Sequence, residues 1–414
     1  MAGAVLLAGV VGLVASAAGR GWPMRRDGDL LLVQTRHYIL HTDHEAEVAQ
    51  LIAAHQEALF RELYRRMGTI RPHQMTGRWN VKVFRKEKRY LKELGPTAKG
   101  SQGLYVHAKK LLAAWGPPER LEGVLETLRH EGTHQFVVHF IGPGVPVWLN
   151  EGLAVFYQHS RFENGRLALG EVPPKRVIRL KKAIQEQTII HLDRMLRMSD
   201  QQWLDAVHAG ASHAGLQYDQ AWAMVHFLAF AAEKRYRGRL TRFIHYVSRG
   251  RESLRAWEKT FGTNFAAFER RWKEYVQGLE ALENLPCRDR LQVLAHLMAH
   301  LYPKRPEAVK DLASFRKALM DGSLGRWSVS TGSGLTFSHD DREGVALLFR
   351  CPADHREKVD ISYDLAPGED GGPPVIRCTH HAGYVLETRH EKGANGAAFS
   401  VRVITKPHLA RRGR

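Results

Sequence analysis

Leu128-Arg129-His130-Glu131-Gly132-Thr133-His134-Gln135, followed by Trp148-Leu149-Asn150-Glu151-Gly152-Leu153-Ala154, is the stretch on which the reading of this chain turns. Four helical residues advance by about 400°, so His130 and His134 stack one turn apart on the same helix face. Two imidazoles at that spacing can take two tetrahedral positions on one Zn²⁺. Glu131 lies beside the metal without pointing at it, where a carboxylate can hold water and accept its proton. At this composition H-E-x-x-H arises by chance ~0.1 times per chain, so its surroundings decide its meaning. Glu151 follows His134 by 17 residues. Pro143, Gly144 and Pro146 supply a reversal that could bring the second helix antiparallel to the first, letting Glu151 reach the metal as third ligand. Two histidines and a glutamate leave the fourth position open, the ligand count of a catalytic site.

These residues resemble the gluzincin zinc metallopeptidases, in which H-E-x-x-H and a short turn precede a helix opening Asn-Glu-Gly-x-Ala. Within that group the likeness is to bacterial peptidase-MA-like domains, where a run like His130 to Gln135 is followed by an aromatic-rich helix like Tyr218-Asp219-Gln220-Ala221-Trp222. The likeness covers about Tyr38 to Leu282. It implies one zinc ion held by His130, His134 and Glu151, with Glu131 as general base. It also implies that Lys110 to Trp115 is the edge strand that aligns a peptide by main-chain pairing. Tyr218 is the expected donor to the oxyanion, with Tyr157 and His159 as alternatives. One position departs from the thermolysin-like pattern: Val155 stands where an acid would support a zinc-bound histidine, and Asp219 is the candidate substitute.

With 414 residues the chain is long enough for two or three domains. A hydrophobic fraction of 44% and a charged fraction of 25% exclude a polytopic membrane protein, a collagen and a mostly disordered chain. The net charge of +18 favours acidic partners besides a peptide or protein substrate. A wall polymer or a membrane surface is expected in that role, and nucleic acid is not. No G-x-S-x-G elbow, P-loop or dinucleotide fingerprint occurs, so nucleophilic and phosphoryl-transfer chemistries have no support. Three cysteines exclude a disulfide-dense scaffold, while Cys351 and Cys378 are candidates for one bridge or for two buried thiols.

The pattern along the chain is α+β: a gluzincin-like domain, built of a small αβ subdomain and a helical one, followed by a β-rich C-terminal domain. Ala4 to Ala18 has the length and small-residue ending of a signal-peptide core, so residues 1–20 are expected to direct export or to anchor the chain. Residues 30–285 form the metallopeptidase-like domain, 286–324 a helical connector, 325–408 the β-rich domain and 409–414 a basic tail. Short runs such as Trp327 to Thr331, Val345 to Phe349 and Tyr384 to Thr388 suggest a small sandwich or barrel. The expected function is zinc-dependent peptide hydrolysis outside the cytoplasm. The alternative is a catalytically weak or inert metallopeptidase-fold protein that binds an anionic polymer, whether wall, membrane surface or nucleic acid.

Overall fold

The structure is a computed structural model that describes residues 21–68, 70, 77–163, 165–208, 211–231, 235–279, 287–321, 325–330, 336–349, 363–368, 372–380, 384–392 and 399–407. The chain falls into two compact units, chiefly Met1–Glu171 with Arg179–Leu279, and Val172–Ile178 with Glu280–Arg411.

The first unit opens with β1 (Met24–Asp27), β2 (Leu30–Gln34), β3 (Tyr38–Thr42), α1 (Ala46–Met67), β4 (Trp79–Phe84), α2 (Glu87–Leu94), β5 (Gly103–Val106) and β6 (Leu111–Trp115). The strands form one mixed sheet in the order β1-β2-β3-β4-β6-β5. β3, β4 and β6 run parallel, and the outer pairings are antiparallel. β4 buries Trp79, Val81 and Val83 and turns Asn80 outward, as a period of two requires. α1 buries Val48, Leu51, Ile52, Leu59 and Leu63, the helical spacing of its apolar residues.

One expectation is corrected here. Leu111–Trp115 is not the edge strand: it lies between β4 and β5, and among the described residues the free edge on that side belongs to Gly103–Val106. A tight turn at His107–Lys109, with Lys110 at φ 47°, folds β5 antiparallel onto β6. Two adjacent apolar runs joined by a turn do not disclose which lies outermost.

The helical part of this unit comprises α3 (Leu121–Phe136), α4 (Val147–Gln158), the hairpin β7 (Arg161–Glu163) and β8 (Arg166–Ala168), the part of α5 (Pro174–Gln185) from Arg179 on, α6 (Leu192–Arg197), α7 (Asp200–His208), α8 (Ala211–Phe230), α9 (Arg235–Ser248), α10 (Ser253–Phe261) and α11 (Phe265–Gln277). α3 packs on α1 and on the β5–β6 end of the sheet, and α4 packs on both α3 and α8. A π turn over Val137–Ile141 ends α3 at Gly142, whose φ of 101° suits a residue without Cβ. Gly152 lets α4 approach α8 closely, because a Cβ there would stand 2.5 Å from the Ala221 carbonyl oxygen.

The second unit holds α12 (Cys287–Leu301), α13 (Leu312–Met320), β9 (Ser328–Ser330), β10 (Thr336–Ser338), α14 (Arg342–Leu347), β11 (Tyr363–Ala366), β12 (Val375–His380), β13 (Tyr384–Lys392) and β14 (Phe399–Pro407). The last four strands form an antiparallel sheet in sequence order, and β9 pairs with β10 separately. Among the described residues this is one sheet packed against α12, rather than the expected sandwich or barrel. Val345 to Phe349, read as a strand, instead lies in α14 and the turn after it. The Asp341 carboxylate accepts the Gly344 N–H at 2.7 Å and so starts a helix there.

The α+β class therefore stands, with a mixed sheet, a helical region and small C-terminal sheets. Cys378 is buried in β12, while Cys351 and the export segment 1–20 lie outside the described residues. Among the described residues no helix is long and apolar enough to cross a membrane.

Candidate metal centre

α3 presents His130 and His134, and α4 presents Glu151 to the same point. His134 Nε2 lies 3.1 Å from His130 Nε2, and Glu151 Oε2 lies 3.5 Å from the first and 3.7 Å from the second. Ligand atoms about 2.0–2.1 Å from a tetrahedral zinc stand roughly 3.3 Å apart, so this triangle has the size of one tetrahedral face. The three side chains are 15–18% exposed, so the site lies under the surface without being sealed.

The outer hydrogen bonds keep a proton on Nδ1 of each ring. His130 Nδ1 is 3.0 Å from Gln158 Oε1, and His134 Nδ1 is 3.0 Å from Asn150 Oδ1. An amide oxygen only accepts, so each ring donates from Nδ1 and turns Nε2 toward the shared point. The buried Oε2 of Glu151 has no hydrogen-bond partner of its own. Two lone pairs and a carboxylate oxygen converging in this way call for positive charge between them.

The electrostatics carry the same demand. Burial works against a charged His134, but the Glu151 carboxylate outweighs it and holds the imidazole protonated up to about 9. Burial likewise opposes ionised Glu151, and His134 overcomes it, keeping the carboxyl below its ordinary range. Burial, reinforced by the neighbouring His134, lowers His130. A proton on His134 supplies one positive charge, whereas a divalent cation would engage all three atoms at once. The donor set of two imidazoles and one carboxylate fits zinc.

Glu131 points elsewhere on α3, and its Oε2 accepts the Tyr105 N–H of β5 at 2.9 Å. Gln102 O accepts the Trp115 N–H, so Leu104 faces β6 while the main-chain groups of Gly103 and Tyr105 turn to the free edge. The general-base candidate is thus anchored to the edge strand by one carboxylate oxygen, leaving the other available.

Support for the histidines comes from residues the sequence did not single out for it. Asn150 immediately precedes Glu151, and Gln158 follows it by two helical turns, so both reach the face of α4 that meets α3. Val155, in contrast, is buried in the core at 1% exposure. Asp219, the suggested substitute, does not serve the histidines. Its fully buried carboxylate is held by Arg179 through bonds of 2.6 and 2.8 Å. Tyr218 is half-buried on α8 with its ring edge-on to Trp203 at 5.3 Å. Tyr157 is enclosed, and burial keeps its hydroxyl protonated well beyond the ordinary tyrosine range. His159, its partner in that role, is half-buried just past α4.

No curated protein matches the chain. Residues 124–252, a span that includes His130, Glu131, His134, Glu151 and Tyr218, match a family described as a protein of unknown function, DUF1570.

Proposed function

We propose that the chain is a zinc-dependent metallopeptidase. The observation that carries this reading is the 3.1, 3.5 and 3.7 Å triangle of His130, His134 and Glu151 beside a carboxylate held at the free edge of a sheet. His130, His134 and Glu151 would hold the ion. Zinc bound there supplies Lewis acidity, polarising a carbonyl and easing the ionisation of water.

The remaining work falls to the chain's own residues. The outward main-chain groups of Gly103 and the carbonyl of Tyr105 would pair with an extended peptide and set its register. Glu131, steadied by the Tyr105 N–H, takes a proton from the attacking water and passes it to the leaving amine. Tyr218 is the proposed hydroxyl donor to the oxyanion. Gln158 and Asn150 keep the two imidazoles in the tautomer that turns Nε2 to the ligand point.

The test is Glu131→Gln, assayed on a peptide library beside wild type with metal content measured in both. The variant should retain its metal and lose turnover by about 10²–10⁴-fold. Cleavage at the wild-type rate would remove Glu131 from the chemistry and the mechanism with it. Tyr218→Phe should lower kcat with little change in metal content.

A further inference from the structure

The strongest feature outside the metal centre is the outer face of α9. From Arg235 to Arg251 the chain carries six arginines and no acid. The helix attaches to the fold through Phe243, Ile244 and Val247, which are 0–2% exposed. Arg237 and Arg242 are exposed on its other side, Arg239 is half-buried, and Arg249 and Arg251 are exposed in the turn that follows. Arg242 lies on α9 and Arg249 just past its end, so the exposed arginines continue from the helix into the turn.

Ion pairing with described acids does not tie up this face. Among the described residues, Arg237, Arg239, Arg242, Arg249 and Arg251 form no ion pair. Glu252, next in sequence, commits its carboxylate to the start of α10, accepting from Leu254 N at 2.8 Å and Arg255 N at 2.9 Å. Two further contacts concentrate the charge: Arg251 and Lys259 each stand 5.1 Å from the centre of the Tyr246 ring. With the exposed arginines of α9 they make a cationic patch that an anionic partner would neutralise.

The form of the face favours a planar partner. Single-stranded nucleic acid is bound by grooves that offer free aromatic faces for stacking, but the Tyr246 ring is already engaged by two cations. No Asn or Gln occurs between Arg235 and Arg251 to read base edges. A bilayer asks only for cations that stand proud of the fold, with an aromatic side chain nearby at headgroup depth. Phe230, at the end of α8 just before this helix, is 44% exposed.

We infer that the arginine face of α9 and its following turn docks this unit onto a membrane surface rich in anionic phospholipid. The docking is electrostatic and peripheral, independent of the metal centre. The test is co-sedimentation of the full chain with phosphatidylglycerol-containing vesicles and with pure phosphatidylcholine vesicles. Binding should require phosphatidylglycerol and weaken as salt is raised.

Arg239→Gln, Arg242→Gln and Arg249→Gln together should weaken binding on the order of a hundredfold, and each alone about fivefold. Lys86→Gln, Lys88→Gln and Lys92→Gln remove the same net charge from exposed positions on or beside α2 and should cost much less. Circular dichroism checks that the triple variants remain folded, and the single variants carry the test if a triple does not. Equal loss in the two triple variants, or no binding to anionic vesicles at low salt, would overturn the inference. So would arginine-dependent binding to a single-stranded oligonucleotide in preference to vesicles.

Discussion

Replacing Gln158 by leucine removes the acceptor that holds His130. The bond it breaks is a 3.0 Å contact from Nδ1 of a ring whose side chain is 18% exposed. Leucine has about the same bulk but no acceptor, so the Nδ1–H loses its partner in a site that water reaches only partly. An unsatisfied donor of this kind costs about 1–3 kcal/mol. Part of that cost is felt only when the ring must hold Nε2 on the ligand point. Loss of such an outer contact lowers metal affinity by about 10–100-fold, or roughly 1.4–2.8 kcal/mol at tenfold per 1.4 kcal/mol. Gln158→Glu should act in the opposite direction, because a carboxylate accepts more strongly and adds negative charge beside the ring. The assay is competition for Zn²⁺ against a chromogenic chelator, with wild type, leucine and glutamate variants in parallel. The expected order of affinity is glutamate, then glutamine, then leucine. Equal affinity of the leucine variant and wild type would refute the role given to this side chain.

Gly152→Ala should destabilise the protein by about 1–3 kcal/mol in urea denaturation, since the new Cβ meets Ala221 backbone at 2.5 and 2.9 Å. Unchanged stability would mean that α4 and α8 can separate freely. His226 provides a pH test: it bonds Tyr275 Oη and Gly170 O, and burial lowers it to about 4. The unfolded chain then binds more protons below pH 6.5, so this stability is fully present above that value and is lost as pH falls towards 4. Between pH 7.5 and pH 4.5 the loss is about 2–3 kcal/mol, and His226→Gln should remove that much of the pH dependence. An identical pH profile in the variant would contradict the assignment.

The ligand triad was legible because helix geometry ties residue spacing to direction: i and i+4 must share a face, and a Gly-Pro reversal must turn the chain. The supports were less legible. Asn150 and Gln158 are amides with no spacing signature of their own, although Gln158 stands seven residues after Glu151 and hence on its face. Asp219 looked available because it sits in the aromatic helix, yet Arg179 claims it. That arginine lies on α5, forty residues before its partner on α8, and no local pattern links the two.

The β7–β8 hairpin interrupts a region expected to be helical, with Gly165 at φ 75°. Asn164-Gly165 is the dipeptide that could have announced it. Val345 to Phe349 shows the opposite limit, because a short apolar run fits either a strand or a buried helix until its cap is recognised. Edge and interior strands of the main sheet were likewise indistinguishable, since both β5 and β6 are short and largely apolar.

The most direct test of the central claim is the zinc content of purified wild type beside His134→Ala and Glu151→Ala, by elemental analysis. The account predicts one equivalent in wild type and its loss in both variants. No zinc in wild type after metal-replete purification, or full retention in both variants, would contradict it.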